Sequence, residues 1–467
     1  MSLNPLRNLP SVHELLESPR LKALMDRISH NSIVATGRAV LNEVHRELQT
    51  AAADRSLPSV SDLAERIARK VTERPAAPLR NVINATGMIL HPELGRPPVA
   101  EEAIAEMESI LANYSASDSW YGQSPEMAES AEAESLLQAL SGAEAALVVN
   151  NNAAGVFLAL AAVAQGREVL VSRGQLINAG GDCPMSELIA SSGAVLREVG
   201  ATNKTTVDDY AAALGERTAA LLVIELNASS SAAASSPSLA ELIELARRAK
   251  LPLLYNLGLG SLVDLRPFGL GGEVNAVESV KAGADAIFLS GDKLLGGPAC
   301  GIVLGRHALV EQMQHHPIMR TLRAGRAVRA GLAATLRLYV DAERARFRIP
   351  VLALSGTSPD NLRNRAERLA PQIAALAGIE SAEATADVAQ WCEGVKRPLP
   401  TWCIAVRPAT RTAEELAMVL RSGSPAVVGK LCEGRVVLDL RTVFPRQDGQ
   451  IVEAFEGVER GDAEVRS

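Results

Sequence analysis

At 467 residues the chain has room for two or three domains and a large core, and 47% hydrophobic against 22% charged residues excludes a disordered chain. No uninterrupted apolar run is long enough to cross a bilayer. The net charge of −7 argues against a generic nucleic-acid binder, and residues 1–75, with 11 Lys and Arg against 9 Asp and Glu, lean basic too mildly to mark a tRNA surface by themselves.

Met1–Arg7 has no apolar stretch behind a basic start, so the expectation is a cytoplasmic protein without a secretory signal. Residues 1–77 read as a small helical domain. Leu15, Leu16, Leu21, Leu24, Met25 and Ile28 recur at helical spacing, as do Val34, Val40, Leu41, Val44 and Leu48. Val60, Leu63, Ile67 and Val71 follow behind Ser59 as a helix cap, and Ala76-Ala77-Pro78 forms a linker. The pattern suits a packing or dimerisation module as well as a substrate-holding one.

Residues 78–345 alternate between strands and helices. The predicted strands are Ala146–Asn150, Glu168–Ser172, Val195–Val199, Ala219–Leu226, Leu253–Leu257, Ala284–Leu289 and Gly301–Leu304, with helices such as Ala153–Gln165 and Leu239–Lys250 between them. That repetition predicts an α/β fold with a mostly parallel, doubly wound sheet and ligands at the carboxyl ends of its strands. Thr335–Ala345 reads as part of a long connecting helix. Residues 346–467 then read as a small α+β domain: a strand Thr401–Arg407, a helix Ala413–Arg421 and a hairpin of Val427–Leu431 with Arg435–Leu440 turned at Glu433-Gly434. A charged tail from Gly457 is expected to fray. The five cysteines, Cys183, Cys300, Cys392, Cys403 and Cys432, form no Cys-x-x-Cys pair and indicate neither zinc nor a disulfide framework.

One stretch organises the rest. Ser290-Gly291-Asp292-Lys293-Leu294-Leu295-Gly296-Gly297-Pro298 follows an apolar strand and ends in residues that break regular structure. Lys293 is thereby delivered at the carboxyl end of a strand. Its own residues leave two readings open, an ordinary loop lysine or a desolvated amine able to form a Schiff base. Likewise Asn150-Asn151-Asn152-Ala153-Ala154 reads as a capped helix start or as a seat for phosphate.

The nine residues Ser290–Pro298 resemble the pyridoxal-phosphate lysine motif of the bacterial selenocysteine synthase family, the L-seryl-tRNA(Sec) selenium transferases. Matching stretches run along nearly the whole chain, among them Val148–Ala154, Ile83–Gly87 with Leu94-Gly95-Arg96, His316-Pro317 with Arg320, Leu322-Arg323-Ala324 and Leu438–Val443. The resemblance implies a fold-type-I pyridoxal-phosphate transferase with Lys293 holding pyridoxal 5′-phosphate. It implies that Asn151, Asn152, Ala153, Asn256 and Ser290 line the cofactor, and that Arg96, Arg320 and Arg323 meet the anionic selenium donor, selenophosphate. Asp292 is implied as a proton-transfer or lysine-orienting group, while its own position also suits a turn residue. The amino-terminal domain is implied to hold seryl-tRNA(Sec), and the assembly to be a homo-oligomer, a dimer or a ring of dimers.

The chain departs from the family pattern in four places. Asn256 stands where an aspartate is usual, and a neutral amide cannot pair with a protonated ring nitrogen as a carboxylate does. The segment 125–132 is acidic where the family is basic. Glu225–Ser229 replaces a Lys-Val-His-Thr-Ser type of sequence, and Gly174–Pro184 lacks the usual glutamate and arginine. Two other functions therefore stay open from sequence: a pyridoxal-phosphate lyase or transferase acting on a small amino acid or amino sugar, and a catalytically weak homologue that serves as a binding protein.

Overall fold

A computed structural model of the chain describes residues 10–25, 58–72, 79–115, 131–178, 183–225, 236–266, 275–392 and 399–466, together with single positions between 33 and 44. It divides into two compact units, Met1–Asn81 and Val82–Ser467.

In the first unit the helices Val12–Leu16, Pro19–Met25 and Val60–Thr72 surround a small core of Leu15, Leu16, Leu21, Ile33, Val40, Val44, Leu63 and Ile67. Ser11 and Glu14 cap the first helix reciprocally. Ser59 does the same for the third, its Oγ accepting from the Asp62 amide at 3.1 Å while Asp62 accepts from the Ser59 amide at 3.0 Å. Ile28, Leu48, the side chains of Met25 and Val71, and the linker 76–78 lie outside the described residues.

The second unit contains two sheets, with strands numbered along the chain. β1 (Val82–Ala85) joins the carboxyl-terminal sheet. β2 (Ala145–Val149), β3 (Glu168–Ser172), β4 (Val195–Val199), β5 (Thr218–Ile224), β6 (Leu253–Gly258), β7 (Ala286–Ser290) and β8 (Gly301–Gly305) form the larger sheet in the order β2-β8-β7-β6-β5-β3-β4. From β7 through β4 the neighbours are parallel, and β8 runs antiparallel to both β2 and β7. Every residue of β5, β7 and β8 is buried, as expected of strands covered by helices on both faces. The helix Asn152–Val163 packs on one face with Leu147, Leu254, Phe288 and Val303. Leu239–Ala249 and Arg326–Tyr339 pack with Leu221, Leu253, Ile287 and Leu304 on the other.

β9 (Ile379–Ala389), β10 (Leu399–Pro408), β11 (Ala426–Cys432) and β12 (Arg435–Asp439) build the second sheet in the order β1-β11-β12-β10-β9, antiparallel except for β1 on β11. Glu433 and Gly434 both adopt positive φ, so the predicted hairpin turn is tight. Between its strands Asp439, fully buried, accepts from Thr401 Oγ1 at 2.7 Å and from Lys430 Nζ at 3.4 Å; the same ammonium lies 2.7 Å from Asp387.

Three features differ from the sequence reading. The connecting helix is two helices, Arg326–Tyr339 and Ala342–Arg348, because Asp341 turns its carboxylate back onto the Glu343 and Arg344 amides and starts the second. β9 escaped prediction because it is a largely exposed edge strand of Glu, Ala, Thr and Asp, without an apolar alternation. The final helix, Asp448–Arg466, runs through Gly457, whose cost of roughly 1 kcal/mol is too small to end a run of good helix formers. No helix among the described residues is long and apolar enough to cross a membrane.

Candidate active site

The loop between antiparallel β7 and β8 carries Lys293. Ser290, buried, pairs with Gly301 across the two strand ends, and the Gly291 amide donates to the Cys300 carbonyl at 2.9 Å. Beyond that the loop folds on itself. Gly297 N–H donates to the Gly291 carbonyl at 2.8 Å, and Gly296 N–H to the Lys293 carbonyl at 3.0 Å. Leu294 and Leu295 are buried in the core, and the Tyr339 hydroxyl donates to the Leu295 carbonyl at 2.8 Å. The lysine is therefore held on a rigid hairpin. Burial lowers its pKa from the ordinary 10.5, the Arg96 guanidinium lowers it further, and Asp292 and Cys392 oppose the shift. The shift makes it easier to reach the free amine, the form that can attack an aldehyde, than for an ordinary lysine.

A second wall comes from the end of β2. Asn151 is extended and caps the helix Asn152–Val163, its side-chain oxygen accepting from the Ala154 amide at 2.8 Å. The amides of Asn152 and Ala153 have no acceptor within the helix and sit at its positive end. Close approach is built in: a Cβ on Gly301 would overlap the Asn151 carbonyl and lie 2.8 Å from the Asn152 nitrogen. From β6, Asn256 reaches the same helix start, its Oδ1 accepting from Asn152 Nδ2 at 2.8 Å. Asn256 is also in register with Phe288 of β7, the strand that leads to Lys293.

The candidate arginines separate. Arg96 is drawn in, with Nε 3.0 Å from Asp292 Oδ2, beside Lys293. Arg323 forms a β-bridge with Val149, and the preceding Leu322 carbonyl accepts from the Asn150 amide at 2.9 Å, which ties this segment to the helix start. Arg320 lies exposed on the single turn Met319–Leu322. Two thiols not singled out from sequence flank the lysine loop. Cys300 lies beneath Gly291, its pKa pushed up to about 12 by burial and then by Asp292, and Cys392 acts on Lys293 as described. They come from separate parts of the chain, so no local pattern marks them.

The departures from the family pattern have structural counterparts where they are described. Gln175 is buried and accepts from the Ile224 amide at 3.2 Å. Glu225 accepts a short hydrogen bond from the Tyr255 hydroxyl. Glu132, at the end of the acidic segment, is clamped by Arg337 through two bonds of 2.7 Å. Residues 125–130, 179–182 and 226–229 lie outside the described residues.

The L-seryl-tRNA selenium transferase profile matches residues 82–444, and the selenocysteine synthase amino-terminal profile matches residues 6–44. The chain belongs to the L-seryl-tRNA selenium transferase family. It is 38% identical to the L-seryl-tRNA(Sec) selenium transferase of Moorella thermoacetica over 98% of this chain and 99% of that one. It is also 38% identical to the enzyme of that name from Hyphomonas neptunium, over 97% and 99%. Among solved structures it resembles D-glucosaminate-6-phosphate ammonia-lyase with a TM-score of 0.57 and 23% identity, over 80% of this chain and 95% of that one; the likeness is one of fold. The architecture is the fold-type-I pyridoxal-phosphate transferase fold, and the family's cofactor is pyridoxal phosphate.

The residues present fit that cofactor. The helix start offers amides and a positive dipole end to a phosphate, and Lys293 offers a largely buried amine whose pKa lies below the ordinary 10.5. Asn152 Oδ1 is buried without a hydrogen-bond partner, an atom the protein alone leaves unsatisfied.

Proposed function

We propose that this chain converts seryl-tRNA(Sec) into selenocysteinyl-tRNA(Sec), with selenophosphate as the selenium donor. The observation that carries this reading is Lys293, presented as a partly desolvated amine on the β7–β8 hairpin of a chain alike over nearly its whole length to enzymes of that name. Bound pyridoxal phosphate supplies the electron withdrawal that loosens the serine Cα–H bond. Lys293 would hold the cofactor, and its Nζ, as a free amine, would take the Cα proton. Asn151, Asn152 and Ala153 hold the phosphate. Arg96 and Arg323, with Arg320 at the rim, bind the anionic donor, for which forked guanidinium groups suit a phosphate-like dianion. Asp292 holds Arg96 in place. In the overall exchange the serine Cβ–O bond is replaced by Cβ–Se, and the donor's P–Se bond breaks to leave phosphate.

The amino-terminal unit holds the tRNA, a reading supported by the family profile over residues 6–44. The enzyme works in the cytoplasm as a homo-oligomer. Support for assembly comes from the helix Glu101–Ala112, where Ile104 and Leu111 are 52% and 62% exposed around an apolar pocket with Val99 and Met107. Purified full-length protein given seryl-tRNA(Sec) and selenophosphate is expected to form selenocysteinyl-tRNA(Sec), and none without the donor. Unchanged seryl-tRNA(Sec) with a cofactor-replete protein would overturn the proposal.

A further inference from the structure

Asn256 is 5% exposed at the carboxyl end of β6. Its Oδ1 accepts two hydrogen bonds, from the Gly258 amide at 3.0 Å and from Asn152 Nδ2 at 2.8 Å. A backbone N–H can only donate, so the atom facing Gly258 must be oxygen; turning the amide over would set donor against donor. The arrangement of Asn152 agrees, since reversing it would set two carbonyl oxygens together. The orientation of Asn256 is thus fixed by chemistry, and its remaining polar atom is Nδ2. Among the described residues no acceptor meets that nitrogen.

We infer that Asn256 presents Nδ2 to the ring nitrogen of the pyridoxal cofactor and holds that nitrogen as an unprotonated acceptor. The inference rests on the proposed function, in that it needs the cofactor, and it concerns what this chain does to it. A carboxylate at this position would accept from a protonated ring nitrogen, whereas an amide nitrogen opposite a ring N–H would oppose two donors. Without its proton the ring withdraws electrons less strongly. That suffices where a β-hydroxyl leaves as the Cα–H bond is lost, because the electron pair departs toward Cβ. It serves poorly where the ring must store the pair, as in exchange of amino groups. Asn256 therefore sets the ring's protonation at a level of electron withdrawal that β-elimination tolerates and amino-group exchange does not.

The test uses the full chain loaded with pyridoxal phosphate carrying a nitrogen-15 ring label, read by solid-state NMR. The wild-type ring resonance is expected in the unprotonated range. In Asn256→Asp it is expected to move to the protonated range, because aspartate keeps an acceptor for Gly258 and Asn152 and replaces Nδ2 with a second oxygen. A protonated ring in the wild type, or the same state in both proteins, overturns the inference. The wild-type spectrum decides this even where the variant fails to fold. A wild-type chain that takes up no labelled cofactor sinks the functional proposal itself, and the inference with it.

Discussion

Arg96 Nε lies 3.0 Å from Asp292 Oδ2, so an ion pair between residues distant in sequence stands directly beside Lys293. Arg96 is 44% exposed and Asp292 17%, which leaves the arginine partly in water and free to trade partners. Its charge reaches the lysine, and the effects have opposite signs: burial and Arg96 lower the Lys293 pKa, Asp292 and Cys392 raise it.

Capture of pyridoxal phosphate by the cofactor-free chain should quicken as pH rises, with a midpoint below the ordinary lysine value of 10.5. Arg96→Ala should move that midpoint up and Asp292→Asn should move it down. The folded lysine binds its proton less tightly than the unfolded one. The cofactor-free protein should therefore gain stability as pH climbs from the lowered value to 10.5, and show no further loss from this group below the lowered value. Capture rates followed by absorbance across pH check the first statement; midpoints that ignore both substitutions would refute it.

Gly301→Ala should destabilise the protein by roughly 1–3 kcal/mol, because its Cβ would press on the backbone at Asn151 and Asn152. The displaced helix start should also loosen cofactor binding by about tenfold or more, an equivalent of roughly 1.4 kcal/mol. Denaturant unfolding and a binding titration measure the two effects.

Asn151→Ala removes the cap on Ala154 and should cost about 1 kcal/mol of stability. Asn151→Asp keeps the cap but sets a negative charge beside the amides proposed to hold phosphate. It should fold with near wild-type stability and bind the cofactor less tightly. Equal binding by Asn151→Asp and wild type would remove the phosphate from this helix.

Lys430→Met should destabilise the carboxyl-terminal sheet by about 1–3 kcal/mol at neutral pH, since the buried Asp439 keeps only its Thr401 and Arg441 hydrogen bonds and the half-exposed Asp387 loses its partner. Burial acts to raise the Asp387 pKa, and the Lys430 hydrogen bond, with help from the Val388 amide, outweighs it and holds the pKa low. In the wild type that stabilisation is present above the ordinary value of 3.8 and is lost as pH falls through the lowered one. The deficit of the variant should accordingly shrink in acid. Paired melting curves at neutral and acid pH compare the two.

Removing residues 1–81 leaves β1 and both sheets of the second unit in the chain. The shortened protein should still bind pyridoxal phosphate and should lose most of its affinity for seryl-tRNA(Sec). Gel-shift titration with the two proteins measures it, and undiminished tRNA binding would take that role away from the first unit.

What could be read in advance follows from which interactions are local. Six of the seven strands of the larger sheet are short apolar runs punctuated by turns, and all seven sequence ranges agree with the structure to within two residues, β4 included despite its Arg197 and Glu198. The lysine loop announces itself because an apolar strand runs into Gly-Gly-Pro. The Asn152–Asn256 pair does not, since it depends on which strands lie near the helix start, and sequence order says nothing of that. β1 was invisible as a member of the second sheet for the same reason, as a parallel pairing has no hairpin turn to betray it. Asp341 is illegible in the sequence because a cap inside a helical pattern looks like one more polar residue on an exposed face.

The parallel pairing of Val82–Ala85 with Ala426–Gly429 also bears on how the molecule is made. During synthesis β1 leaves the ribosome early, and its partner emerges only near the end. Until then an edge of backbone amides and carbonyls has nothing to bond with, through the whole translation of the larger sheet. Fragments ending before residue 426 are thus condemned to an open flank, and the cell should find them sticky and quick to degrade, while a completed chain closes that flank with its own last strands.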